Sequence, residues 1–183
     1  MKLIIGISGA SGAHYGVELL KVLKEKNIET HLILSEWAEK ILEIETDYKI
    51  EDVKKLATDV YDNKDMGARV SSSSFLVDGM IVMPCSIKTA SEIANGACNT
   101  LITRAADNVM KMKKTLLVGV RETPLSTAVL ENLRKISLYG GIVMPLSPGF
   151  YHKPKEIKDL DSFIVGKALD VFEIENNEFK RWD

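Results

Sequence analysis

Five times along this chain, a short and almost wholly apolar run ends at a Ser, Pro or charged residue and gives way to helical spacing. No other feature narrows the fold so far. A strand apolar along its whole length has to be covered on both faces, and helices crossing between parallel strands provide that cover. The runs are Leu3–Ser8, 29–35, about 79–84, 115–120 and about 141–145. Between them, HYGVELLKVLKEK and EWAEKILEIE repeat apolar residues at helical spacing. Residues 48–65 read as polar and helix-like, and the serines at 71–74 as a loop. Residues 87–111 read as helical with a break near Gly96, and further helices are expected from about 124 and over 156–173. The expected fold class is α/β, a three-layer doubly wound parallel sheet of Rossmann or flavodoxin-like type, with residues 1–183 as one domain.

Composition removes several alternatives. With 24 Lys+Arg against 26 Asp+Glu the net charge is −2, which gives no support for a nucleic-acid binder while leaving room for a local basic pocket. The longest apolar runs fall well short of the ~18 residues of a membrane span, and no signal-peptide pattern precedes Lys2. Cys85 and Cys98 form no CxxC pair, so neither a zinc site nor a disulfide framework is expected. A cytoplasmic protein is the default reading. A chain of this length buries roughly 70% of its unfolded surface and needs no staples.

Ligands of doubly wound sheets sit beyond the carboxyl ends of the strands. The first strand ends in Ser8-Gly9-Ala10-Ser11-Gly12, the second in Ser35, the third in Pro84-Cys85-Ser86-Ile87-Lys88-Thr89 and the fourth in Arg121-Glu122. Glycines at 6, 9 and 12 let backbone approach a phosphate or a flavin edge, and equally suit a tight strand-to-helix turn. No Lys-Ser/Thr comes after them, so this is not a Walker A loop. Ser86 reads as a helix N-cap, alone or together with ligand contacts. Arg121 suits a phosphate and Glu122 a proton transfer, or the two form a rim ion pair. Glu45 alone reads as a solvated carboxylate, and Arg104 and Lys111 as one exposed helix face. His14, His31 and His152 show neither ligand spacing nor a Ser or Asp partner.

The order GISGASGAHYGVELLKVL, ETHLILS, EIETD, SSSSF…GMIVMPCSIKT, LITRAAD, VRETPLS and PGFYHKP closely resembles the UbiX family of flavin prenyltransferases and the related subunits B of phenolic acid decarboxylases. The resemblance runs from Lys2 to Trp182. It implies transfer of a dimethylallyl group from dimethylallyl phosphate to reduced FMN, without a metal. The prenylated FMN then serves a UbiD-type aromatic acid decarboxylase. It implies flavin contacts at Gly9, Ala10, Ser11, Ser35, Ser86, Ile87, Lys88, Thr89, Arg104 and Arg121. Donor-phosphate contacts are implied at Lys111, Arg121, Tyr151 and Lys167, and catalytic roles at Glu45, Glu122 and Ser11. The four cations Arg104, Lys111, Arg121 and Lys167 are thus expected to converge at one mouth of the sheet, with Trp37 and Phe150 as part of an apolar wall. A homododecamer is implied, with sites at subunit interfaces and a tail from about 174, including Trp182, reaching a neighbour.

Two positions depart from the family pattern: Ser73 replaces a Gly of SSGSF, and Lys167 stands where Arg is common. Lys keeps the charge but loses bidentate phosphate geometry, which bears on monophosphate against diphosphate donors. Two other readings are a non-catalytic FMN-binding subunit of a decarboxylase and a flavin-dependent cysteine decarboxylase. The second lacks its PxMNxxMW-type segment and catalytic His here.

Overall fold

Residues of opposite parity on each apolar run point to opposite sides, and both sides are covered. The computed structural model describes residues 1–182. In chain order its elements are β1 (Lys2–Ile7), α1 (His14–Glu25), β2 (Glu29–Leu34), α2 (Glu36–Glu45), α3 (Ile50–Lys54), β3 (Asp59–Asp62), β4 (Gly79–Cys85), α4 (Ile87–Ala94), α5 (Leu101–Lys111), β5 (Thr115–Val120), α6 (Thr127–Leu138), β6 (Ile142–Pro145) and α7 (Ile157–Val171). The six strands form one sheet in the order β3-β2-β1-β4-β5-β6. Every pairing is parallel.

Leu3, Ile5, Ile7, Ile81, Met83 and Leu117 pack on one face with α1, α2 and α7. Ile4, Met80, Val82, Leu116 and Val118 pack on the other with α4, α5 and Ile136 of α6. The doubly wound α/β expectation therefore holds, including the break between α4 and α5. One strand escaped the sequence reading. Within 48–65 only Ile50–Lys54 is helical, and Asp59–Asp62 is an edge strand paired to β2 through Leu32 and Val60. Its half-buried and exposed positions alternate with polar residues among them, which is how an edge strand reads.

The chain runs outward from β1 to β2 and β3, and on the other side from β4 to β5 and β6. The winding reverses between β1 and β4, and a crevice opens there at the carboxyl ends. Ser35 caps α2 by accepting the Ala38 N–H, and Ser86 caps α4 by accepting that of Thr89.

Candidate active site

The two strands flanking the reversal are tied together by one buried hydroxyl. Ser8 Oγ donates to the Pro84 carbonyl at 3.2 Å and accepts the Ser86 N–H at 2.7 Å. Ala10 is buried, and its N–H donates to the Ser8 carbonyl at 2.8 Å, which turns the first loop back on itself. A Cβ on Gly9 would lie well under 3.0 Å from the Trp37 Cβ, so only glycine lets the loop lie against α2.

Beyond these strand ends lies a cleft of about 820 Å³, walled by Gly9, Leu34, Ser35, Trp37, Ser86, Lys88 and Thr89. Its outer wall comes from the overlooked β3 and the turn after it: Val60, Tyr61, Asp62, Asn63 and Lys64. Five of the predicted flavin contacts thus share one wall. Ile87, the first residue of α4, instead turns its side chain to the α4–α5 core. Trp37 is 63% exposed on the wall, with Lys40 Nζ 4.7 Å above its ring.

The cleft suits a flavin nucleotide on its own chemistry. It has a floor without Cβ at Gly9, apolar faces at Leu34 and Trp37, and capping hydroxyls at Ser35 and Ser86. The first N–H groups of α4 lie beside Lys88 and suit an anion.

At the rim the first loop gathers two more predicted residues. Gly12, at φ +89°, donates its N–H to Glu45 Oε2 at 2.8 Å. Arg121 Nε donates to the Ser11 carbonyl at 3.3 Å. The Glu45 carboxylate is therefore a ligand of the loop rather than a free surface group. Glu122 is exposed, and its Oε1 accepts the Thr123 N–H at 3.1 Å.

The remaining predicted residues stand elsewhere in the protomer. On α5, Arg104 Nε donates to the Ser71 carbonyl at 3.1 Å, and Arg104 and Lys111 each lie 3.6 Å from Asp107. Ser71, the first residue of the serine loop, also accepts from Asn108 Nδ2 at 2.6 Å. On α7, Lys167 lies 3.8 Å from Asp170 and 5.6 Å over the Phe179 ring. Tyr151 packs edge-on against Phe163 and Trp182. The expected convergence of four cations is not realised within one protomer: α5 and α7 cover opposite faces of the sheet. Trp182 contacts the Tyr151 of its own chain, and Phe150 is exposed outside the cleft wall.

The histidines correct the sequence reading. His14 Nε2 lies 3.0 Å from Asp161 Oδ1, a partner 147 positions away that no local signal announces. Hydrogen bonding to Asp161 raises the His14 pKa against the opposing effect of burial. His31 is fully buried between Tyr61 and Glu29, each at 3.0 Å, with Asp59 at 3.5 Å. Burial lowers its pKa. His152 stacks on Phe163 at 5.4 Å. Cys85 and Cys98 are free thiols, and burial pushes that of Cys85 far up. Among the described residues no group of three or more His, Cys, Asp or Glu is arranged to hold a metal ion, and no helix is long and apolar enough to cross a membrane.

Comparison with known proteins agrees with this fold. The profile of the family described as Flavoprotein matches residues 1–169. A flavin prenyltransferase UbiX of Methanocaldococcus jannaschii is 46% identical over 182 residues, covering 100% of this chain and 98% of the relative. AnUbiX, crystallised in complex with FMN and dimethylallyl pyrophosphate, superposes with a TM-score of 0.98 at 42% identity, over 100% of this chain and 97% of that one. A dodecameric FMN-dependent UbiX-like decarboxylase from Escherichia coli O157:H7 gives 0.98 at 44% identity, over all of both chains. The peptidyl-cysteine decarboxylase EpiD, at a TM-score of 0.67 and 18% identity over 93% of this chain and 96% of its own, shares the fold alone.

Proposed function

The chain belongs to the flavoprotein family, among the UbiX-type flavin prenyltransferases, and we infer that it transfers a dimethylallyl group from dimethylallyl phosphate to N5 and C6 of reduced FMN. The observation that carries this reading is the cleft at the β1/β4 reversal, with Gly9, Ser35, Ser86, Lys88 and Thr89 on one wall and the Glu45–Gly12 and Arg121–Ser11 contacts at its rim.

Reduced FMN, when bound, supplies the nucleophilic nitrogen and the ring carbon that accept the five-carbon unit. The protein's part is to hold and to neutralise. Gly9, Ala10, Ser11, Ser35 and the segment Ser86–Thr89 position the flavin, and positioning alone is worth several kcal/mol. Breaking the allylic C–O bond leaves negative charge on phosphate. Lys111, Arg121 and Lys167 stabilise that charge and Tyr151 donates a hydrogen bond to it. Arg104 lines the same site. Closing the fourth ring requires a proton to leave C6, for which Glu122 is the base, while Glu45 holds the first loop and serves proton movement beside it. Trp37 shields the reacting centre from water. No step calls on a metal.

Because α5 and α7 lie on opposite faces of the sheet, Lys111 and Lys167 meet only across two copies of the chain. The assembly we propose is a homododecamer with interfacial sites, as in the dodecameric UbiX-like relative, and the tail from about 174 takes part in subunit contacts. Exposed apolar side chains such as Ile44, Leu138 and Trp182 supply surface for that assembly. The product is passed in the cytoplasm to a UbiD-type aromatic acid decarboxylase.

The test is anaerobic incubation with reduced FMN and dimethylallyl phosphate, and then the mass of the released flavin. A gain of one C5 unit is expected. Unchanged FMN with both monophosphate and diphosphate donors would sink the assignment.

A further inference from the structure

Lys167 has a competitor on its own helix. Asp170, one turn on, places Oδ2 3.8 Å from the Lys167 ammonium. A carboxylate there can capture the lysine and repel an incoming phosphate. The structure sets another cation on it. Arg181 grips Asp170 with both arms, Nη1 to Oδ2 at 3.0 Å and Nη2 to Oδ1 at 2.8 Å. Asn176 Nδ2 adds a third donor to Oδ1 at 3.0 Å.

We propose that Arg181 is a positioning residue for the donor phosphate: by occupying both oxygens of Asp170 at closer range it loosens the hold of Asp170 on Lys167 and cancels the negative charge beside it. The proposal rests on the reading that Lys167 holds that phosphate. A bidentate guanidinium outcompetes a single ammonium for a carboxylate on geometry as well as charge. The Asp170 pKa is lowered, with the Arg181 hydrogen bonds as the largest cause. Lys167 stands over the Phe179 ring and only at the outer limit of an ion pair with Asp170, 3.8 Å away. Phe179 lies on α7 at Gly166, where a Cβ would meet its ring at 2.5 Å. Asn176, 4% exposed, bonds the Gly166 and Ile174 carbonyls. Those contacts hold the tail without Arg181, so removing Arg181 chiefly changes the charge.

The test measures dimethylallyl phosphate affinity by calorimetry on protein loaded with oxidised FMN, which cannot turn over, and KM and kcat with reduced FMN. Arg181→Ala is expected to weaken donor binding and raise KM roughly fivefold, the upper end for an exposed ion pair. The kcat and the FMN affinity should hold, and the penalty should shrink at high salt. Adding Asp170→Asn to Arg181→Ala should restore wild-type donor affinity. Unchanged donor affinity in Arg181→Ala, or a loss that Asp170→Asn does not recover, overturns the proposal. Should Arg181→Ala not fold, Asp170→Asn alone decides: donor binding as tight or tighter is expected, and weaker binding refutes it. A wild-type protein that neither binds nor consumes the donor speaks against the prenyltransferase reading itself. A working wild type with an indifferent Arg181→Ala speaks against this inference alone.

Discussion

One added methyl group on Gly9 tests how the first loop and α2 are fitted. A Cβ there would stand well under 3.0 Å from the Trp37 Cβ, and 3.5 Å from the Trp37 Cα and carbonyl carbon. Carbon atoms pack best at about 3.5–4.0 Å, so the first turn of α2 has to retreat by about 1 Å. Overpacking of this kind costs about 1–3 kcal/mol. At this chain length that lowers the melting temperature by roughly 3–10 °C. Ser35 and Trp37 stand on the cleft wall, so the retreat also reaches the proposed flavin site. If about half the strain is expressed there, FMN binding weakens roughly two- to tenfold. Thermal melts and flavin-fluorescence titrations read both effects in Gly9→Ala. The clash is with a Cβ, which sharpens the test. Trp37→Ala keeps that atom, so the Gly9→Ala penalty should persist in its background. Trp37→Gly removes the atom, so the penalty should vanish there. Wild-type melting and binding in Gly9→Ala, or relief by Trp37→Ala, would refute the steric argument.

Glu122→Gln keeps the side chain's size but removes the proposed base, so the finished four-ring flavin should form more slowly. Mass analysis showing the finished product at the normal rate removes Glu122 from the mechanism. The two paired histidines should move stability in opposite directions with pH. His14 has a raised pKa, so its pairing with Asp161 stabilises fully below its unfolded pKa of about 6.5 and is lost as pH rises through the folded value. His31 has a lowered pKa, so its contribution is present above about 6.5 and is lost as pH falls toward the folded value. Melting of His14→Gln against wild type should therefore show the larger deficit at acid pH, and that of His31→Gln at alkaline pH. A deficit independent of pH in either variant removes that histidine from the linkage.

The fold was legible wherever burial on two faces wrote itself into the residues. LIIGI, LLVGV and the run around Met80 carry no polar residue that an exposed face would require, so they point directly to a parallel sheet. β3 stayed hidden for the opposite reason. DVYD on the sheet edge is half exposed, and three of its four residues are polar or amphipathic. Missing β3 also hid Tyr61, Asp62, Asn63 and Lys64, the outer wall of the cleft. The Gly9 turn and the Ser86 cap were readable because their signals are local: a glycine run and a hydroxyl before a helix. The His14–Asp161 pair joins α1 to α7 across 147 positions, and the Arg181–Asp170 pair joins the tail to α7. Such contacts exist only after folding, so neither residue looks unusual in its own neighbourhood.

The near-neutral charge takes on a different meaning once the two faces are distinguished. Arg104 and Lys111 on α5 share Asp107, while Lys167 on α7 faces Asp170, itself held by Arg181. Each cation is thus partly balanced within its own helix layer, and a lone protomer gathers no strongly positive mouth. On the proposed assignment that mouth forms only when α5 of one copy approaches the rim of another, where Arg121 is already held by the Ser11 carbonyl. The cleft wall of Gly9, Ser35, Ser86 and Thr89 needs no second copy. Flavin recognition then belongs mainly to the protomer and donor-phosphate recognition to the assembly. Charge that would repel itself within one small domain is kept apart until assembly and a bound phosphate bring it together.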